Sequence, residues 1–308
     1  MHDSDQYDVY AFGVIASSTL HLLQQAFPVA EGYAELGQSL PMTGGEALNS
    51  AIVLGRLGLR VRLDGNWLGD TPRGRRLLET IGELGIDTRR LTLREQYSGV
   101  REIVFSDSRS RTIFGNYIDL LSGERKWNVP RKEDIAAARI ACVDPPFRDE
   151  SAAVGRFAAA LDVPFVSIDC PFAHNLARDA AAVIISGEFR GREYPDAVLE
   201  ELFAEYQSHA RGLVIFTAGD EPLLYGRRDG EVQRFEPYRV DVTDSAGAGD
   251  SFRSGVIYGL LQGWDDTEIV GYASALAAIV CSRFPGVLDS PSHREVLAFM
   301  RSAPAARP

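Results

Sequence analysis

The stretch DSAGAGDSF, Asp244 to Phe252, is where residue type and spacing could do chemistry. Small residues, Ala246 to Gly249, lie between two carboxylates and run straight into an apolar sequence. A helix starting near Asp250 would gather unpaired amide N–H groups and the positive end of its dipole at one point, which makes an anion site. Glycine there allows close approach of a ligand to the backbone. Asp250 has two readings. As an N-cap it would stabilise the helix by roughly 1 kcal/mol. A carboxylate beside a phosphate cradle opposes plain binding, however, and makes chemical sense as the acceptor of a proton from a hydroxyl attacking that phosphate.

Other phosphate-binding patterns do not fit. A Walker loop needs GxxxxGK[ST], and the only lysines, Lys126 and Lys132, are far away in sequence. A dinucleotide fingerprint would use Gly247 and Gly249, but Phe252 stands at its third glycine. A net charge of −11 argues against a nucleic-acid partner. Cys142, Cys170 and Cys281 are odd in number and widely spaced, so reduced thiols are expected rather than a disulfide framework or a metal site. The start, MHDSDQYD, has no basic-plus-apolar leader pattern, and the apolar run around 269–281 is short of the roughly 18 residues a membrane span needs. A cytoplasmic protein without a membrane partner is expected.

The elements that must position the glycine stretch follow from periodicity. YDVYAFGV reads as a first strand, followed by a polar, irregular stretch to about Pro41. GGEALNSAIVLGRLG predicts a helix over 46–57, with Ala47, Ala51, Leu54 and Leu57 on one face. Strands GVREIVF and RTIFGNY, joined by SDSRS, form a hairpin that interrupts the order. From 135 onward, Val/Ile-rich strands alternate with helices, which implies a mainly parallel sheet covered on both faces. A meander is expected over 222–240, then the glycine stretch, and then a helix with Phe252, Val256 and Leu260 in one stripe.

Two segments carry a family resemblance. DVTDSAGAGDSFRSGVIYGL resembles the C-terminal signature of the ribokinase-like (PfkB) carbohydrate kinases, and the segment from TGGEALNSAIVLGRLG to IGELGID resembles their N-terminal signature, in the expected order. GLVIFTAGDEPLLY is similar to the strand and turn before the second signature. The resemblance implies an α/β three-layer sandwich with a mainly parallel central sheet. It also implies one kinase domain over 1–308, with a small β lid from about 16–42 and 98–120. It makes Asp250 the catalytic base, and the amides of Ala246, Gly247, Ala248 and Gly249 the anion hole. Gly44, Gly45 and Asn49 match the substrate segment, and Thr217 and Gly219 the nucleotide loop, with the helix around 275–281 bordering the adenine. Asp244 matches a position that holds a monovalent cation in many members. ATP and Mg²⁺ are the implied cofactors, with K⁺ as an additional cation, and a homodimer through the lid is the implied assembly.

Two positions depart from the family pattern. An aspartate expected after the first strand is replaced by Ser18, which can bond a substrate hydroxyl but supplies no charge. The NxxE motif tied to magnesium is replaced by Ser186-Gly187-Glu188-Phe189, leaving Glu188 as a shifted candidate, or the metal to water and the nucleotide. Arg101, Arg109 and Arg111 read as solvated arginines of a lid strand or as partners of an anionic group. The implied function is ATP-dependent phosphorylation of a hydroxyl on a small polyhydroxy molecule, a sugar or sugar derivative. A nucleoside kinase of the same fold and a binding pseudokinase are the alternatives.

Overall fold

In the computed structural model, which describes residues 6–107 and 110–302, the first strand shows why the chain builds two cores. Along β1 (Tyr7–Gly13), Val9 and Ala11 point into one apolar cluster, and Tyr10 and Phe12 into another. This is the two-residue period of a strand buried on both faces. The strands that follow are β2 (Ala16–Leu23), β3 (Leu36–Gly44), β4 (Val61–Gly65), β5 (Leu68–Gly69), β6 (Leu93–Arg94), β7 (Arg101–Ser106) and β8 (Arg111–Gly115). The second half adds β9 (Ala138–Val143), β10 (Phe165–Ile168), β11 (Ala182–Ile185), β12 (Leu213–Phe216), β13 (Leu223–Gly226) and β14 (Gln233–Phe235).

The central sheet runs β14-β13-β12-β11-β10-β9-β1-β4. The six strands from β12 to β4 are parallel, and the β13–β14 hairpin adds an antiparallel edge. In chain order the helices are α1 (Glu46–Arg56), α2 (Pro72–Glu83), α3 (Tyr117–Leu121), α4 (Lys132–Ala136), α5 (Asp149–Ala160), α6 (Asn175–Arg178), α7 (Gly187–Glu193), α8 (Leu199–His209), α9 (Ala248–Gln262), α10 (Asp266–Cys281) and α11 (His293–Ser302). α1, α2, α9 and α10 contribute to the core on the Val9 face, and α4, α5, α6 and α8 to the core on the Tyr10 face. The result is an α/β three-layer sandwich. No helix among the described residues is long and apolar enough to cross a membrane.

The structure corrects three local expectations. The stretch before Pro41 is irregular only over 24–35: on either side it forms β2 and most of β3. Its alternation is masked because Ser17, Thr19 and His21 face out while the inward Ser18 is polar as well, although Ser18 and Leu20 are 5% and 2% exposed. These strands join the hairpin in a separate sheet of order β3-β2-β7-β8. Over 222–240 the described strands are only β13 and β14, with Asp229 at φ 61 in the turn between them. The glycine-stretch helix begins at Ala248, not at Asp250.

Candidate active site

That shift in the helix start decides what Asp250 does. Gly247, at φ 76, is the N-cap of α9 and makes no side-chain cap bond. A side chain here would need a left-handed backbone and would place Cβ 2.3 Å from Val287 Cγ2. Asp250 therefore sits in the first turn, and its carboxylate is free to turn away from the backbone. Its Oδ2 accepts from Asn49 Nδ2 at 2.9 Å, and its Oδ1 lies 3.8 Å from Arg253 Nη2. Burial, with the side chain 14% exposed, pushes its pKa up. The Arg253 charge and the Asn49 bond pull it back, and the Asp144 charge adds to the rise.

Arg253 is the rigid post behind this carboxylate. It is fully buried, bonding Asp144 Oδ1 at 2.5 Å, Ser50 Oγ at 2.7 Å and the Glu46 carbonyl at 2.6 Å. Asp144, beyond the end of β9, also accepts from the Val14 amide at 2.9 Å, so one buried pair ties α9, α1, β1 and β9 together. A Cβ on Gly13 would lie 1.8 Å from Asp144 Oδ2, which explains the bare residue at the end of β1.

The cradle amides are not equivalent. Ala246 N donates to Asp244 Oδ1 at 2.9 Å, and Ala248 N makes a long 3.4 Å bond to the Ser245 carbonyl. At the helix start the amides of Gly247 and Gly249 have no intrahelical partner to donate to. Apart from its own stretch of helix backbone and its chain neighbours, nothing lies within 4 Å of a Cβ built on Gly249, so packing does not require its bareness. Asp244 is 1% exposed; Oδ1 also accepts from Ser106 Oγ at 2.9 Å, and buried Oδ2 has no partner at full hydrogen-bond geometry, although the Gly286 amide is near enough to lower the carboxyl's pKa.

On the other side of Asp250, Gly44 and Gly45 are held bare by the protein itself. A Cβ on Gly44 would lie 2.0 Å from Glu102 Oε2, and one on Gly45, at φ 90, would lie 2.3 Å from the Val14 carbonyl oxygen. Glu102 stands on β7 opposite Ser18 in the register with β2. It is 6% exposed and accepts a hydrogen bond from the Tyr117 hydroxyl. Burial raises the Glu102 pKa, opposed by the Tyr117 and Ser18 bonds. Glu46 has a buried Oε2 with no partner, and burial reinforced by the Asp144 and Asp250 charges pushes its carboxyl up to about 8. Tyr117 bonds Glu102, and after burial the charges of Glu102, Glu46 and Asp250 push its pKa further up. Glu102 and Tyr117 were not visible as site residues in the sequence, because only the pairing of β2, β7 and β8 brings them there.

Thr217 and Gly219 follow β12; Thr217 N donates to the Ile185 carbonyl at 3.0 Å, and Gly219, at φ 65, faces open space. Where the NxxE motif is missing, Ser186 caps α7 through a 3.0 Å bond from Phe189 N, and Asp169 accepts from Ser186 N and Oγ at 2.7 and 2.9 Å. The Glu188 side chain is 79% exposed, with Arg111 Nη2 3.8 Å away. Among the described residues no group of three or more His, Cys, Asp or Glu could hold a metal ion. Arg101 is exposed, whereas Arg111 reaches the Ser245 carbonyl at 3.2 Å; Arg109 lies outside the described residues.

Comparison with known proteins finds similarity in part of the chain and in the fold. Residues 184–292 match the family described as pfkB family carbohydrate kinase. A crystal structure of a protein assigned as a ribokinase in Agrobacterium tumefaciens superimposes with a TM-score of 0.81 at 25% identity, covering 96% of this chain and 98% of that one. Over residues 184–292, the C-terminal third that contains the glycine stretch, the chain is similar to the pfkB family of carbohydrate kinases. Among curated relatives, a 5-dehydro-2-deoxygluconokinase of Clostridium perfringens is 28% identical over 106 residues, 34% of this chain and 31% of the relative. The matched part thus spans about a third of that relative's length. A protein of the same name from Geobacillus thermodenitrificans is 25% identical over 297 residues, 86% of each chain.

Proposed function

We propose that the chain is an ATP-dependent phosphotransferase acting on a hydroxyl of a sugar or sugar derivative, with Asp250 as the base. One observation carries this reading: the Asp250 carboxylate, freed from capping by Gly247, is buried and held by Asn49 in the first turn of α9, where the leading amides have no intrahelical carbonyl to bond. ATP supplies the γ-phosphoryl group. Asp250 takes the acceptor proton, and the amides over 246–249 stabilise charge on the phosphoryl oxygens. Because the Ala246 amide is engaged by Asp244, the Gly247 and Gly249 amides carry most of that task.

Ser18, Gly44, Gly45 and Asn49 border the acceptor, joined by Glu46, Glu102 and Tyr117. Thr217, Gly219 and the α10 segment over 275–281 border the nucleotide. The second sheet, within 16–42 and 98–120, acts as a lid of a single domain spanning 1–308 and excludes water. Glu188 is a poor fit for magnesium, being exposed and facing Arg111, so the ion is left to the nucleotide phosphates and water. Asp244 Oδ2, buried without a partner at full hydrogen-bond geometry, does fit a monovalent cation such as K⁺. The relatives' name, 5-dehydro-2-deoxygluconokinase, supports a sugar derivative over a nucleoside as acceptor.

The outer face of the lid, with Ile103 and Phe114 at 46% and 54% exposure, is proposed as a homodimer surface, and a monomer by light scattering would reject it. The free thiols Cys142, Cys170 and Cys281 fit the reducing cytoplasm, which cell fractionation reads. The function itself is tested by ADP release from Mg-ATP over a panel of sugars, sugar acids and nucleosides. Turnover with a sugar or sugar acid is expected; turnover with nucleosides alone, or with nothing, rejects the reading.

A further inference from the structure

We propose that Arg111 is the cation that the lid sheet brings to the phosphoryl group, a catalytic residue on the face opposite the α9 amides. Arg111 opens β8, and its Nη1 donates to the Ser245 carbonyl at 3.2 Å. Ser245 directly precedes the amide cradle, so the side chain already crosses from the second sheet to the phosphate loop. The Arg111 charge also lowers the pKa values of Asp250, Asp244 and Glu102, in keeping with its reach to the Ser245 carbonyl. A phosphoryl group arriving there meets carboxylates on several sides. Arg253, the other cation acting on Asp250, is fully buried and committed to Asp144, Ser50 and the Glu46 carbonyl.

Arg111 is committed to nothing comparable. Its partners are one neutral carbonyl and Glu188, 3.8 Å away and 79% exposed, and an exposed pair of that kind contributes little. Its own side chain is 37% exposed, so it can reorient without breaking a packed core. A guanidinium offers two parallel donors that match phosphate oxygens, and it stays protonated throughout. As the acceptor oxygen bonds to phosphorus, the bond to the ADP oxygen breaks, its electron pair leaves with ADP and the acceptor proton passes to Asp250. Arg111 neutralises the oxygens in flight, and its pull on the nucleotide draws the lid closed.

This assignment rests on the kinase reading, and the test separates the two. Calorimetric titration with Mg-AMP-PNP, a non-hydrolysable ATP analogue, and with Mg-ADP is compared for wild type, Arg111→Ala and Arg111→Lys. Arg111→Ala is expected to weaken AMP-PNP by about tenfold or more while leaving ADP unchanged, and Arg111→Lys to recover part of the loss. Unchanged ADP binding also reports an intact fold. Guanidinium at millimolar concentration should raise phosphotransfer by Arg111→Ala, which a merely structural role would not allow. Equal weakening of both nucleotides, or of neither, overturns the Arg111 assignment alone. Wild type binding neither nucleotide overturns the kinase reading and this assignment with it.

Discussion

Asn49 on α1 and Asp250 on α9, 201 residues apart in the chain, meet through a 2.9 Å hydrogen bond from side-chain amide to carboxylate. The bond lowers the Asp250 pKa against the rise caused by burial. Asn49→Ala removes that support, so the Asp250 carboxyl rises further above its ordinary value. The acid limb of kcat/KM should move to higher pH. A pH-rate profile checks this; an unmoved limb means that the bond does nothing for the base.

Gly249 separates packing from function. Apart from its own helix backbone and chain neighbours, nothing lies within 4 Å of a Cβ placed there, and it is in the first turn of α9, so Gly249→Ala should leave the melting temperature unchanged or raise it, by up to about 1 kcal/mol of stability. Phosphotransfer should nevertheless fall about a hundredfold, the scale of displacing a reacting group by about 1 Å. Gly44→Ala, driven against Glu102, should lose both stability and activity. Full activity in Gly249→Ala would remove the phosphate from this loop.

Glu46 makes stability depend on pH in an unusual direction. Its carboxyl is raised from 4.5 to about 8 in the folded chain, mainly by burial. Between those values the unfolded chain has lost this proton and the folded chain keeps it, so the contribution is complete below about 4.5 and is lost as pH rises through about 8. Glu46→Gln should flatten that part of the decline in urea stability curves. Curves of identical slope would show that Glu46 titrates normally.

Arg253→Met leaves Asp144 buried without its cation. The cost is expected at about 3–5 kcal/mol, because an uncompensated buried charge remains. Asp144→Asn combined with Arg253→Met should recover part of it, as read by urea unfolding. A cost below about 1 kcal/mol would mean that water reaches the pair.

The sheet and its covering helices were legible because each element carries its own period: α1 is expected over 46–57 and found as Glu46–Arg56, and the Val/Ile runs became the parallel strands. The two glycine segments were legible too, and packing against Glu102 and the Val14 carbonyl by itself already requires Gly44 and Gly45 to be bare. β2 was missed because its inward Ser18 looks like an outward residue. Glu102 and Tyr117 join the site only through the register Ser18↔Glu102↔Gly115, a long-range pairing with no local signature. The helix start was misplaced because a left-handed glycine, not a side chain, closes it.

In the proposed mechanism Asp250 starts the phosphoryl transfer. The most direct measurement is kcat for Asp250→Asn beside wild type, with ATP and the best acceptor from the panel, and with nucleotide affinity measured in parallel. Asn keeps the shape and can still bond Asn49 but cannot take the proton, so kcat should fall by about 10²–10⁴ while nucleotide binding holds. An Asp250→Asn variant with wild-type kcat would contradict the account.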